Sequence, residues 1–147
     1  MSVAKNKIGL QFTGWKEVMQ NIGRMADESG LKQATESALK ATKDHINAKA
    51  DAIMQKGNMP AGGKYWTGET KRSLDKNYDV EWSGYTGSIN IGYDLDASGL
   101  TSIYLMHGTP KMAPVSGLYD AFYGKKTKSE TKALQKEAIE KWIERNL

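Results

Sequence analysis

The chain has no cysteine, only three prolines, two histidines and two phenylalanines, and no long hydrophobic run. Without cysteine there is no disulfide framework, no thiolate zinc site and no thiol nucleophile. Two histidines 62 positions apart, His45 and His107, form neither an H-x₃-H nor an HExxH pair. No apolar stretch approaches the roughly 20 residues that span a bilayer, so no membrane partner is expected. The first twelve residues lack the apolar core of a signal peptide. Arginine is scarce too: of 21 basic residues, only Arg24, Arg72 and Arg145 carry a guanidinium. Reading of base edges leans on that bidentate fork, so a sequence-reading DNA binder is not expected.

What is present fits one soluble domain of 147 residues, 39% apolar and 26% charged. A chain of that size buries roughly two-thirds of its unfolded surface and can build a core. The net charge of +4 is uneven: +3 over residues 1–26, 0 over 27–56, −2 over 57–124 and +3 over 125–147. Lysines at the two ends give at most a modest attraction to phosphate.

The apolar pattern orders the elements. Ile8, Leu10 and Phe12 alternate as a short strand. Thr13 offers an N-cap to a helix carrying Trp15, Val18, Met19, Ile22 and Met25. A longer helix is expected over 29–56, with Ala34, Ala38, Leu39, Thr42, Ile46, Ala50 and Ile53 on a narrow, alanine-rich face. Glycine-rich residues 57–70 read as a flexible loop. Leu74, Tyr78, Val80 and Trp82, then Ile89, Ile91 and Tyr93, predict an antiparallel hairpin turning at 83–87, with Asp79, Glu81, Ser88, Asn90 and Asp94 on its wet side. A second flexible loop is expected near 94–102. Ile103–Met106 reads as a short strand or turn, ended by Gly108-Thr109-Pro110 and followed by a loop through Pro114. Thr127 and Glu130 form a T-x-x-E capping box for a last helix with Leu134, Ala138, Ile139, Trp142 and Ile143. This order predicts an α+β fold, its long helix and C-terminal helix packed on a small antiparallel sheet.

No catalytic constellation, cofactor site or metal site emerges. Of the pairs Asp79/Glu81 and Asp94/Asp96, the first suits a wet hairpin face better than a cation site or a divided acid and base, and no glycine-rich EF-hand loop accompanies either. A phosphate-binding loop at Gly63-Lys64 fails because Asn58 and Tyr65 stand where glycine and Ser or Thr are required. His45, mid-helix among charged neighbours, reads as a solvated or half-buried helix histidine. His107 beside Gly108 is better placed, and paired with Asp94 or Asp96 it defines a last-ranked hydrolase reading. Trp15, Trp82 and Trp142 fall in phase with apolar stripes and are expected in the core. Trp66, with Tyr65 between Lys64 and Thr67, has no such phase. It is either a partner-binding element or a cover folded over its own core.

Two segments carry a resemblance. Thr67-Gly68-Glu69-Thr70-Lys71-Arg72-Ser73-Leu74 resembles a T-G-x-L-[KR]-x-S-[IL] pattern, with Thr70 at the aliphatic position. Ile103-Tyr104-Leu105-Met106-His107-Gly108-Thr109-Pro110-Lys111-Met112-Ala113-Pro114 resembles Y-x-x-[FY]-x-E-[FY]-G-T-x-x-M-x-[AP]-x-P, with Met106 at the acidic and His107 at the aromatic position. Both patterns are those of tail-completion and head–tail joining (neck) proteins of long-tailed bacteriophages. The stretch after Pro114 departs from the family's proline-aromatic-leucine turn, and a lysine-rich linker leads to the last helix. The resemblance implies a structural virion protein: a small α+β subunit forming a homo-oligomeric ring, most often a hexamer, in contact with portal or connector and tail-tube proteins. It implies at most transient contact with DNA passing the channel, and a location in the virion, or the host cytoplasm during assembly. The assembly residues it points to are Tyr65, Trp66, Thr67, Gly68, Lys71, Arg72, His107, Gly108, Thr109, Pro110, Met112 and Pro114. The alanine face of the long helix and the wet side of the hairpin are the candidate subunit contacts. A non-specific DNA-binding protein is the alternative.

Overall fold

A computed structural model describes residues 5–8, 28–84, 86–94 and 100–146. The helix expected around Trp15 to Met25 and the strand residues Leu10 and Phe12 lie outside them. So do residues 95–99 of the second expected loop, whose remainder ends one strand and begins a helix.

The fold is α+β, helices packed on a small antiparallel sheet. Strand β1 (Lys5–Ile8) precedes the long helix α1 (Glu28–Ile53). Two short 3₁₀ turns and helix α2 (Glu69–Arg72) lead to strands β2 (Val80–Ser83) and β3 (Thr86–Asp94). Helices α3 (Leu100–His107), α4 (Leu118–Tyr123) and α5 (Lys125–Asn146) complete the chain. The sheet order is β1-β3-β2, with both outer strands antiparallel to β3.

Periodicity explains the layers. On α1, Ala38, Leu39, Ile46 and Ala50 are buried, spaced so that one helical face meets β3, α4 and α5. On β3, Ile89, Ile91 and Tyr93 share a parity and are buried against that face. α5 runs antiparallel to α1 with Thr127, Thr131, Gln135 and Ile139 inward at every fourth position. This helix pair is held by polar groups as well as packing: Gln135 Nε2 donates to Thr42 Oγ1 at 3.0 Å, and Thr42 Oγ1 donates to the Ala38 carbonyl at 2.9 Å.

Several expectations are corrected. Ile103–Met106 is the body of helix α3, not a strand or turn. Within 57–70 the chain forms two short 3₁₀ turns and then the start of α2. The capping box does not form. α5 already begins at Lys125, so the presumed lysine-rich linker is its first turn. The Thr127 hydroxyl instead donates to the Asp120 carbonyl at 2.8 Å, and Glu130 faces Lys49. The hairpin is shorter than its parity suggests: Leu74 makes an isolated bridge to Tyr93, and β2 starts at Val80. Trp82 and Trp142 are half-buried rather than in the core. The Trp82 ring lies beneath Lys32 Nζ at 5.3 Å.

Candidate functional site

The two segments singled out by their motifs are distant in the chain and meet in the fold. Where α1 ends, Met54 and Met59 turn into the core, and the chain reverses through Pro60–Gly63. Gly63, at φ +80°, is required here, because a Cβ would lie 2.5 Å from the Lys56 carbonyl oxygen. That reversal places Trp66 half-buried against the core and leaves Tyr65 78% exposed. Of the two readings open for this aromatic pair, Trp66 therefore takes the inward one and Tyr65 stays at the surface. Lys64 Nζ lies 5.6 Å above the Tyr65 ring. Thr67 Oγ1 accepts from the Glu69 amide at 3.2 Å, and Arg72 reaches back to the Thr67 carbonyl at 3.3 Å. Thr67, Gly68 and Arg72 thus brace one another at the start of α2.

The second segment is an equally tight turn. Gly108 ends α3 at φ +76°, its amide donating to the Tyr104 carbonyl at 2.7 Å. Thr109 and Met112 exchange backbone hydrogen bonds of 2.8 and 3.1 Å around Pro110-Lys111. The Val115 amide then donates to the Leu105 carbonyl at 2.7 Å, which lays Met112 and Pro114 back along α3.

Between the segments lies a cleft of about 190 Å³, lined by Met54, Met59, Trp66, Leu105 and Met112, with Tyr65, Thr67 and Gly68 at its rim. A shallower groove of about 390 Å³ adjoins it across Met59, Pro60 and Met112, and Pro114 belongs to that groove. Lys71, Arg72, His107, Thr109 and Pro110 do not line the cleft. The exposed His107 ring instead packs on Tyr119 at 5.3 Å, and Tyr119 on Tyr123 at 5.0 Å. Burial raises the Tyr123 hydroxyl pKa, with Tyr119 adding to the shift. Asp94, weighed as a partner for His107, sits at the end of β3 opposite Lys5. Asp96 lies outside the described residues.

The cleft presents methionine, tryptophan and leucine side chains, a lining suited to taking up an apolar side chain from a partner. Among the described residues no group of three or more His, Asp or Glu could hold a metal ion. No helix among them is long and apolar enough to cross a membrane. Met54, Met59 and Leu105 were not legible as site residues. Met54 follows the end of α1, Met59 stands in the glycine-rich stretch and Leu105 in the apolar run Ile103–Met106, and only the folding-back of the two turns brings them to one opening. No family model, curated protein or solved structure matches the chain.

Proposed function

We propose that this chain is a structural subunit of a tailed-bacteriophage virion, a head–tail joining or tail-completion protein that acts as a ring at the neck. The observation that carries the reading is the convergence of both motif segments, Thr67–Leu74 and Ile103–Pro114, around one apolar cleft with Tyr65 exposed on its rim. Two braced turns sharing an apolar cleft make a docking face for another protein, such as the portal or connector on one side or the tail tube on the other. The ring, most simply of six copies, leaves a channel for DNA. Its place is the virion, and before that the host cytoplasm where particles assemble.

The test is deletion of the gene from the phage that carries it, with complementation by wild type and by Trp66→Ala. Unjoined heads and tails in the deletion lysate, repaired by wild type alone, are the expected result. Normal joined, DNA-filled particles in the deletion lysate overturn it.

One observation favours the alternative of a non-specific DNA-binding protein. Lys125, Lys128, Lys132 and Lys136 are exposed and follow one another along a single face of α5. Such a stripe contacts phosphates, and its binding falls steeply with salt. Titration of duplex DNA at two salt concentrations separates the readings: a steep salt slope lost in a four-lysine-to-alanine variant supports the alternative, and no affinity near physiological salt removes it.

A further inference from the structure

The alanine face of α1 was one candidate for contact between copies, and it is already covered. Ala34, Ala38 and Ala50 are at most 1% exposed, inside the subunit's own fold. The sheet offers a different pair of surfaces. β1 and β2 are its outer strands, each of four residues. Among the described residues no further strand lies beside either of them. An outer strand presents unpaired N–H and C=O groups on which another strand can add. The two edges differ in charge. β1 reads Lys5-Asn6-Lys7-Ile8, with its lysines in register with Asp94 and Asn90. β2 reads Val80-Glu81-Trp82-Ser83 and follows Asp79, and both carboxylates are on exposed residues. Lys32 and Lys40 of α1 lie near this edge, over the rings of Trp82 and Tyr78.

We propose that β1 of one copy adds to β2 of the next, so that the sheet continues from subunit to subunit. The occupant of each edge is a second copy of this chain, and the inference rests on the ring assembly proposed above. Charge selects this pairing. Two β1 edges would set lysine against lysine, and two β2 edges carboxylate against carboxylate, which is destabilising across paired strands. Only β1 against β2 opposes unlike charges. A contact between two different surfaces is heterologous, and it closes into a ring when its rotation permits. Since β1 and β2 are both antiparallel to β3, they run in the same direction. A rotation axis along the strands therefore joins them as a parallel pair.

The experiment uses the full chain and two charge-reversed variants, Lys5→Glu with Lys7→Glu, and Asp79→Lys with Glu81→Lys. Each variant carries like charges on both edges. Circular dichroism and thermal unfolding check that both are folded, and native mass spectrometry with sedimentation at low salt reads assembly. Wild type is expected to form closed oligomers, and each variant alone to self-associate about tenfold or more weakly. An equimolar mixture restores assembly, because every edge of one variant meets an oppositely charged edge of the other, and the restored rings hold even numbers of subunits. If wild type assembles and the variants assemble equally well, or their mixture does no better than its parts, edge pairing is wrong while the ring reading stands. If wild type itself does not assemble at any concentration, both fall.

Discussion

Lys43 and Asp75 form an ion pair inside the fold, the lysine Nζ 3.1 Å from Asp75 Oδ1 with the lysine side chain 1% exposed. The same ammonium donates to the Asn77 carbonyl. Asp75 in turn accepts from the Asn77 amide at 2.8 Å, and its own carbonyl accepts from Asn47 Nδ2 at 3.2 Å. This network ties the middle of α1 to the irregular segment that delivers β2, so it sets where the hairpin begins. Removing one partner leaves the other charge buried and uncompensated, which costs about 3–5 kcal/mol. Lys43→Ala and Asp75→Ala are each expected to lose stability on that scale in urea unfolding. Lys43→Met with Asp75→Leu is expected to recover much of it.

The helix pair α1–α5 is specified by Thr42 and Gln135, whose side chains are buried and bonded to each other. Thr42→Val keeps the shape and strands the Gln135 amide, at a cost of about 1–3 kcal/mol. Adding Gln135→Leu removes the stranded group. The double variant is therefore expected to be more stable than Thr42→Val alone, a non-additivity that a double-mutant cycle measures directly.

Acid weakens the same helix pair at its other end. Glu130 accepts a hydrogen bond from Lys49, which holds its carboxyl below the ordinary value of 4.5; burial opposes this, and the charges of Lys49, His45 and Lys126 add to the lowering. A carboxyl whose folded pKa is depressed contributes stability above its unfolded pKa and loses it as pH falls through the folded one. The contribution is thus whole at neutral pH and fades below about pH 4.5. Unfolding titrations are expected to show a smaller acid-side loss in Glu130→Gln than in wild type. Equal acid-side slopes would contradict this.

Gly108 is expected to tolerate no side chain. A Cβ there would approach the Met112 carbonyl to 2.8 Å and Pro114 Cδ to 2.9 Å at a backbone φ of +76°. Gly108→Ala is expected to lose about 1–3 kcal/mol and to loosen the Thr109–Met112 turn. Thermal unfolding reads the first effect, and faster amide exchange at Thr109 and Met112 reads the second.

Tyr65 and Trp66 are adjacent and are expected to respond differently. Tyr65→Ala removes an exposed ring and changes stability by no more than about 0.5 kcal/mol. Trp66→Ala opens the cleft against Met54 and Met59 and costs about 3 kcal/mol. If the cleft is the docking face, Tyr65→Ala yields a folded subunit with impaired particle joining, read by complementation of the deletion.

The sequence by itself determined the elements whose signal is local and periodic. The stripe through Ala38, Leu39, Ile46 and Ala50 placed α1, the parity of Ile89, Ile91 and Tyr93 placed β3, and Ile139 with its neighbours placed α5. Their order was enough for an α+β class. Where the signal depends on a partner, the tertiary structure decided. The run Ile103–Met106 is as apolar as a strand, and it is helical in a fold where Leu105 and Met106 are buried and the Leu105 carbonyl takes the Val115 amide. Thr127 and Glu130 have the spacing of a cap, yet the fold gives them the Asp120 carbonyl and Lys49 as partners instead. A lysine at position 43 reads as surface, because only the fold brings Asp75 to neutralise it. The cleft is the same case: its two halves are separate turns in the chain, and apolar burial is what closes them on one another. Periodicity is written in neighbouring residues, whereas the identity of a partner across the fold is not.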